Sequence, residues 1–343
     1  RSSRSTCSSR GSRPANPSQA ARPPSRRPAI PIQEFLVSMG LVSDREQAIG
    51  HMTTAFHAMG SDLQVQVWGD PQLGESLCSL APARIEILEQ AWSRFRAGSE
   101  LSRVNSLAGK TAIEISPDLQ LLVAKMVEAA HLTHGLFQPT MARVIEALGY
   151  HRDFCELGNE SSASALPSFT SVDGITLTGN VLEIEAGVAL DPGAIGKGLA
   201  GDIVCAEFMA AGATGVLANI GGDVVVAGTP GSDYWRVSVF DDSDLTSDSI
   251  LGVVEKTVGG FAVATSSTAR RTWGNGSHHV IDPRTGNMSD TDLIQATVVA
   301  PTGWQAEAYA TAALVLGNQA GTQFLNNKGL THFLVPASKI TTK

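Results

Sequence analysis

The sequence predicts an α+β fold. Three observations carry that reading: helical and strand patterns do not alternate strictly, strand patterns crowd into the second half, and a glycine-rich strand-to-helix turn lies between, Asp191 to Asp202 (DPGAIGKGLAGD). The 343 residues leave room for one large domain or two small ones, and a hydrophobic content of 43% is ordinary for a globular chain. No run approaches the roughly 18 apolar residues that a membrane-crossing helix needs. No internal repeat is apparent.

Residues 1 to 50 read as an Arg/Ser/Pro-rich tail followed by a short helix, and residues 51 to 343 as the folded domain. Arg1, Arg4, Arg10, Arg13, Arg22, Arg26 and Arg27 precede the first acid, Glu34, so the rest of the chain is more acidic than its net charge of −8 suggests. Nucleic acid is therefore not an expected partner of the folded part. No apolar run follows the arginines or precedes Cys7, so no export signal or lipid anchor is expected here, and location leans to the cytoplasm. Cys7, Cys78, Cys155 and Cys205 are widely spaced, which predicts free thiols rather than a disulfide framework or a zinc site.

Phe56 to Trp68 ends in period-two alternation and predicts the first strand, with Met59-Gly60 just before the alternating part. Pro82 to Arg94 and Pro117 to His131 carry helical spacing and open on proline. Trp92 to Asn105 reads as a polar connection, Thr133 to Tyr150 as a turn and a helix, and Ser161 to Ser171 as a Ser-rich loop. Strands follow around Ile175 to Leu177 and over Val181 to Leu190; a helix is expected over Leu199 to Ala211. Gly215 to Gly228 reads as two strands broken by Gly221-Gly222. Further strands are expected at Trp235 to Phe240, Val253 to Ala264, Ala296 to Ala300 and His332 to Pro336, with an Ala-rich helix over Ala306 to Gly317.

Five stretches are candidates for chemistry. In the turn, Gly193, Gly196 and Gly198 let backbone N–H groups and a helix N-terminus face one spot, and Lys197 adds a charge. The same glycines equally serve a tight turn under a packed helix, and the spacing is neither a P-loop nor GxGxxG. Asp223 follows a double glycine and suits a ribose hydroxyl or an adenine amine, or the glycines mark a bulge. Thr265, Ser266 and Ser267 end a strand, where they touch a ligand or cap a helix. His279 and Asp282 flank a Pro-Arg turn, although a lone histidine is more often structural. Glu307 and Thr311 share a helix face at i, i+4, oxygens that suit Mg²⁺ completed by phosphates, or a solvated face.

Taken together, AMGSDLQVQVW, SRFRAGSELSRVN, GLFQPT, LDPGAIGKGLAGD, NIGGDVVVAG, VATSS, HHVIDPRTGN and AEAYATAALVLG resemble, in order and spacing, the ApbE-type FAD:protein FMN transferases over roughly residues 55 to 336. The resemblance implies mixed or antiparallel sheets flanked by helices, with an FAD cleft between two subdomains. It also implies Mg²⁺ as cofactor and FAD as substrate, with FMN passed to a Ser or Thr hydroxyl of an acceptor flavoprotein and AMP released. By the same resemblance Glu307 and Thr311 hold the metal with a backbone carbonyl near Gly193 or Ala194. Lys197 faces the nucleotide, Asp223 its adenosine end, and Met59 with the Phe137 to Thr140 turn the flavin. Thr265 joins the cofactor site and Asn105 shapes the cleft near the metal. His279 is the expected base, as a group titrating near pH 7, with Asp282 to orient it.

Three positions depart from the family pattern: Glu307 stands for the usual Asp, Gln138 for the Asp of FDPT, and Ser267 for the Gly of TSG. Two other readings use the same residues, hydrolysis of FAD to FMN and AMP by water, and a non-catalytic flavin-binding or delivery protein. Gly212-Ala213-Thr214 looks like the core of the acceptor motif such transferases modify. Its place between a helix and a strand predicts a C-cap rather than self-modification.

Overall fold

The computed structural model describes residues 51–152, 166–167, 171–231, 234–256, 259–273 and 277–337. The expected tail and short helix, Cys7, Cys155 and most of the Ser161 to Ser171 loop lie outside the described residues.

A hairpin opens the fold, β1 (His51–Ala58) against β2 (Ser61–Trp68). Met59-Gly60 is its turn, not a lead-in to a single strand: both residues have positive φ, 50° and 65°, the twist a two-residue hairpin loop needs. The first helix, α1 (Pro71–Trp92), starts a full eleven residues before the expected Pro82. Asp70 accepts the Leu73 N–H as cap and Pro71 sits in the first turn, so Pro82 lies inside the helix. An internal proline costs about 3 kcal/mol. The buried stripe Leu77, Ala81, Ile85, Leu88 and Trp92 runs straight through it and holds the helix together.

The expected polar connection contains α2 (Glu100–Ser106), capped by Ser99, whose two buried apolar residues are too few for a periodic signal. Next come β3 (Ile113–Glu114), α3 (Pro117–Leu132) with its Ser116 cap, and α4 (Ala142–Ala147). β4 (Ile175–Thr178) and β5 (Val181–Ile184) complete a small sheet with β3, in which β5 is the middle strand. The strand expected to reach Leu190 therefore ends at Ile184. The glycine-rich turn feeds α5 (Gly196–Ala210), and β6 (Gly215–Ile220) turns at Gly221-Gly222 into β7 (Asp223–Gly228). The remaining elements are β8 (Trp235–Phe240), β9 (Ile250–Lys256), β10 (Phe261–Ser267), β11 (Thr272–Trp273), β12 (Ser277–His278), β13 (Leu293–Ala300), α6 (Gly303–Leu316), α7 (Asn318–Asn327) and β14 (His332–Pro336).

Seven strands form the main sheet in the order β1-β2-β6-β7-β10-β13-β14, each pair antiparallel, so the fold is α+β with antiparallel sheets. One face carries the principal core, under α1, α5 and α6; the β8–β9 ribbon covers part of the other through Trp235, Val237 and Val239. Burial on both faces explains why β6 and β13 carry apolar residues at consecutive positions instead of alternating with exposed polar ones. Cys78 and Cys205 are buried free thiols, as the spacing predicts; burial pushes the pKa of Cys78 up to about 11 and that of Cys205 higher still.

α5 and α6 cross in backbone contact. A Cβ on Gly198 would sit 2.2 Å from the Gly303 carbonyl oxygen, and one on Gly303 would sit 2.3 Å from that of Gly198. Thr302 gives α6 no side-chain cap; the Asp202 carboxylate of α5 accepts from Gly303 N (2.7 Å) and Trp304 N (3.0 Å) instead. Gly198→Ala or Gly303→Ala is expected to lower the unfolding free energy by about 3 kcal/mol or more, read by urea denaturation.

Candidate active site

A cavity of about 500 Å³ opens where the principal core meets a smaller cluster of Met141, Ile145, Tyr150, Trp273 and Ile281. Its wall is built from the Met59-Gly60 turn, the end of α1, the segment around Phe137, the glycine-rich turn, the end of β10, the His279 segment and α6. Six basic side chains line it, Arg94, Arg96, Arg152, Lys197, Arg270 and Arg271, against the acids Glu89, Asp191 and Glu307. A chain of net charge −8 thus reserves positive charge for this place, which suits an anionic ligand.

The glycine-rich turn is held from within. Gly193 N–H goes to Asp191 Oδ1 (2.8 Å), Gly196 N–H to Pro192 O (2.8 Å) and Gly198 N–H to Glu307 Oε2 (2.8 Å). The expected cluster of free N–H donors is therefore not there: these three are already satisfied, and Gly198 is required by the helix crossing. Asp191 Oδ2 also pairs with Arg94 Nε at 3.2 Å, and the Arg94 guanidinium lies 4.0 Å over the Phe95 ring and 4.6 Å over that of Tyr150. Asn105 brackets the approach to the turn, accepting from Leu190 N (2.8 Å) and donating to Leu190 O (3.0 Å). It does not reach the cavity wall, so it shapes the cleft only through that backbone.

Behind the turn lies a buried charged group. Lys197 Nζ bonds Asp223 Oδ2 and stands 3.8 Å from Glu307 Oε1. Asp223 is 2% exposed and also accepts the Thr265 N–H at 3.1 Å. The sequence assigned Asp223 to a nucleotide's adenosine end; the structure makes it the counterion of Lys197, off the cavity wall. Burial works against the Lys197 ammonium, but the Asp223 and Glu307 charges outweigh it and raise its pKa. Burial pushes Glu307 up to about 8 against the pull of Lys197. Thr311 shares the α6 face with Glu307, both line the cavity, and Thr311 Oγ1 meets Ser266 Oγ at 2.9 Å. Thr265 lines the wall while its hydroxyl is tied to that of Thr297 (2.8 Å).

His279 lines the same cavity, with Nδ1 enclosed and unpartnered. The expected titration near pH 7 is corrected: burial first, then the Arg271 charge, hold its pKa at about 3, so the imidazole is neutral. Asp282 does not orient it. Its carboxylate takes the Arg284 backbone N–H (2.9 Å) and guanidinium (Nη2 at 2.8 Å), closing the Pro-Arg turn. Met59 and Phe137 line the wall, and the Met59 N–H is held by Glu89 Oε2 at 3.0 Å. Gln138 also lines it, its Oε1 enclosed without a partner; Thr140 is buried behind, its hydroxyl equally unpaired. Ser267 needs no glycine-like backbone, since it sits in β10 with ordinary φ and its hydroxyl accepts Ala269 N–H (3.2 Å). Thr214 is tied to Trp68 O and Thr229 N at the strand start, consistent with a structural role.

Sequence reasoning missed Arg94, Arg270 and Arg271. The Arg270-Arg271 doublet between two buried strands was a readable signal; Arg94 was not, because its role depends on Asp191, far along the chain. Arg270 is clamped by the buried Asp242 (2.8 and 2.6 Å). Arg271 and His279 flank the β11–β12 ribbon, one step beyond its Thr272–His278 pair.

A family profile described as "ApbE family" matches residues 59–334. Over 277 residues the chain is 29% identical to the FAD:protein FMN transferase of Rhodobacter capsulatus, covering 78% of this chain and 52%, about half, of that relative. It is 24% identical over 289 residues to the FAD:protein FMN transferase of Klebsiella pneumoniae, covering 81% and 82%. Among solved structures, the flavin transferase ApbE from Vibrio cholerae superposes with a TM-score of 0.69 at 21% identity, over 84% of this chain and 94% of that one. The apo flavinyl transferase ApbE of Pseudomonas stutzeri gives 0.70 at 22% identity, over 84% and 91%. These structural likenesses speak for the fold.

Lys197→Met strands the buried Asp223 carboxylate and is expected to cost about 3–5 kcal/mol of stability; adding Asp223→Leu should recover much of it, read as a double-mutant cycle in urea. Asp202, pushed from 3.8 to about 6 by burial, is favoured by folding in its protonated form. That contribution is complete below about pH 4 and lost as pH rises through 6, about 3 kcal/mol in all, and the slope should vanish in Asp202→Asn.

Proposed function

The chain belongs to the ApbE family, and from that membership we propose that it is a Mg²⁺-dependent FAD:protein FMN transferase acting on a Ser or Thr hydroxyl of an acceptor flavoprotein. The observation that carries the reading is the meeting, on one cavity wall, of the Glu307 carboxylate and Thr311 hydroxyl with Lys197, His279 and a majority of basic side chains. The residues fit a dinucleotide. Gln138 Oε1 and His279 Nδ1 are enclosed polar atoms without a partner in the protein, positions that a ligand's own donors and acceptors would satisfy.

They also fit a hard cation. Among the described residues no cluster of three or more His, Cys, Asp or Glu side chains is arranged to hold a metal. Mg²⁺ asks for less: one or two carboxylates, with phosphate oxygens and water completing its shell. Glu307 and Thr311 would hold it, with a carbonyl from the Gly193 to Ala194 turn, and Glu307 must be ionised to do so. When bound, the metal supplies charge neutralisation at the pyrophosphate.

The chain's own residues then do the rest. The acceptor hydroxyl oxygen forms a bond to the FMN-side phosphorus as the bond from that phosphorus to the AMP phosphate oxygen breaks. The hydroxyl proton goes to the neutral His279, whose proton affinity rises when the anionic pyrophosphate lies beside it. AMP leaves, and FMN stays on the acceptor as a phosphodiester.

The test combines purified chain, FAD, Mg²⁺ and a small acceptor protein with a Ser/Thr-Gly-Ala-Thr-type segment, and weighs the acceptor by mass spectrometry. A covalent FMN adduct is expected, lost with EDTA and reduced at least about a hundredfold in rate by Glu307→Ala. Free FMN and AMP without adduct would replace the transferase by a hydrolase; FAD bound but unchanged would leave a binding protein.

A further inference from the structure

Most cations on the cavity wall are already neutralised by the protein. Arg94 is paired with Asp191, Arg96 with Glu86 and Glu89, Lys197 with Asp223, and Arg270 with Asp242. Arg271 is different. It lines the cavity, yet among the described residues it has no ion pair or hydrogen-bonded side-chain partner. It is not on a floppy segment of backbone: its neighbour Arg270 is clamped in two places on the buried Asp242, and its other neighbour, Thr272, is paired with His278 in the β11–β12 ribbon. The same ribbon places Arg271 across from His279, and cross-strand neighbours have Cβ atoms roughly 5 Å apart. Its charge is felt at Lys197, His279 and Glu307, so it stands over the same volume as they do.

An arginine held at its base, aimed at a cavity and left without a carboxylate has a fork of donors free for planar recognition of an oxyanion. Because the protein's own acids are committed elsewhere, the missing partner must come with the ligand. Resting on the function proposed above, we propose that Arg271 is the residue that binds the pyrophosphate oxygens of the dinucleotide, and that it holds them next to His279. Lys197 cannot take this part while Asp223 keeps its ammonium. Arg271 therefore adds a positive charge that the wall can lend to the substrate.

Binding to the full chain by titration calorimetry tests this, with ADP as the probe for the pyrophosphate and adenosine as the control lacking it. Arg271→Gln is expected to weaken ADP binding about tenfold or more and leave adenosine unchanged, with Arg271→Lys recovering part of the loss. Thermal melts of the variants should match the parent, since no internal partner is lost. Equal ADP affinity in Arg271→Gln, an equal loss for adenosine, or a parent chain that takes up no ADP would each overturn the assignment. Transfer of FMN by the parent with unaltered ADP binding in Arg271→Gln would sink the role of Arg271 alone. Arg271-dependent ADP binding without FMN transfer would sink the transferase reading alone.

Discussion

The backbone contact between α5 and α6 is the constraint on which the site depends. Two glycines, Gly198 and Gly303, remove the side chains that would hold the helices apart, and Asp202 ties the start of α6 to the flank of α5. Only at that separation does Glu307, about one turn into α6, reach the Gly198 N–H, and only then does Lys197 fall between Glu307 and Asp223. The helix start that resembles an anion seat is in this protein first a packing surface. Its free charge has to come from side chains around it.

That arrangement sets the electrostatics. Two carboxylates and one ammonium are buried together, so one acid lacks a counter-charge, and the strain appears in Glu307, whose proton burial helps to retain. A cation arriving beside Glu307 would supply what the protein leaves out. His279 shows the converse: burial and its positive neighbours Arg271 and Lys197 lower its pKa and favour the neutral ring.

Much of this was legible in the sequence, for identifiable reasons. The α+β class, the Gly221-Gly222 hairpin and the pairing of Glu307 with Thr311 on one helix face follow from local spacing, which needs no knowledge of distant contacts. Errors arose where a local signal had two uses. Pro82 resembles a helix start but is carried inside α1 by the buried stripe on either side. Asp223 was placed by the glycines before it, whereas its bond to Lys197, 26 residues earlier in the chain, could not be read locally. Asp282 lies close to His279 in sequence, yet its nearest cation, Arg284, claims it first. The arginines of the wall were hidden because an arginine's role is set by which acids are already taken.

The β11–β12 ribbon has a consequence for how such a site can vary. Register at Thr272–His278 and Trp273–Ser277 sets Arg271 and His279 one step beyond the ribbon, on the same end of it. A one-residue slip in that register would part Arg271 from His279, so the site can vary at those two residues only as far as the ribbon keeps its pairing.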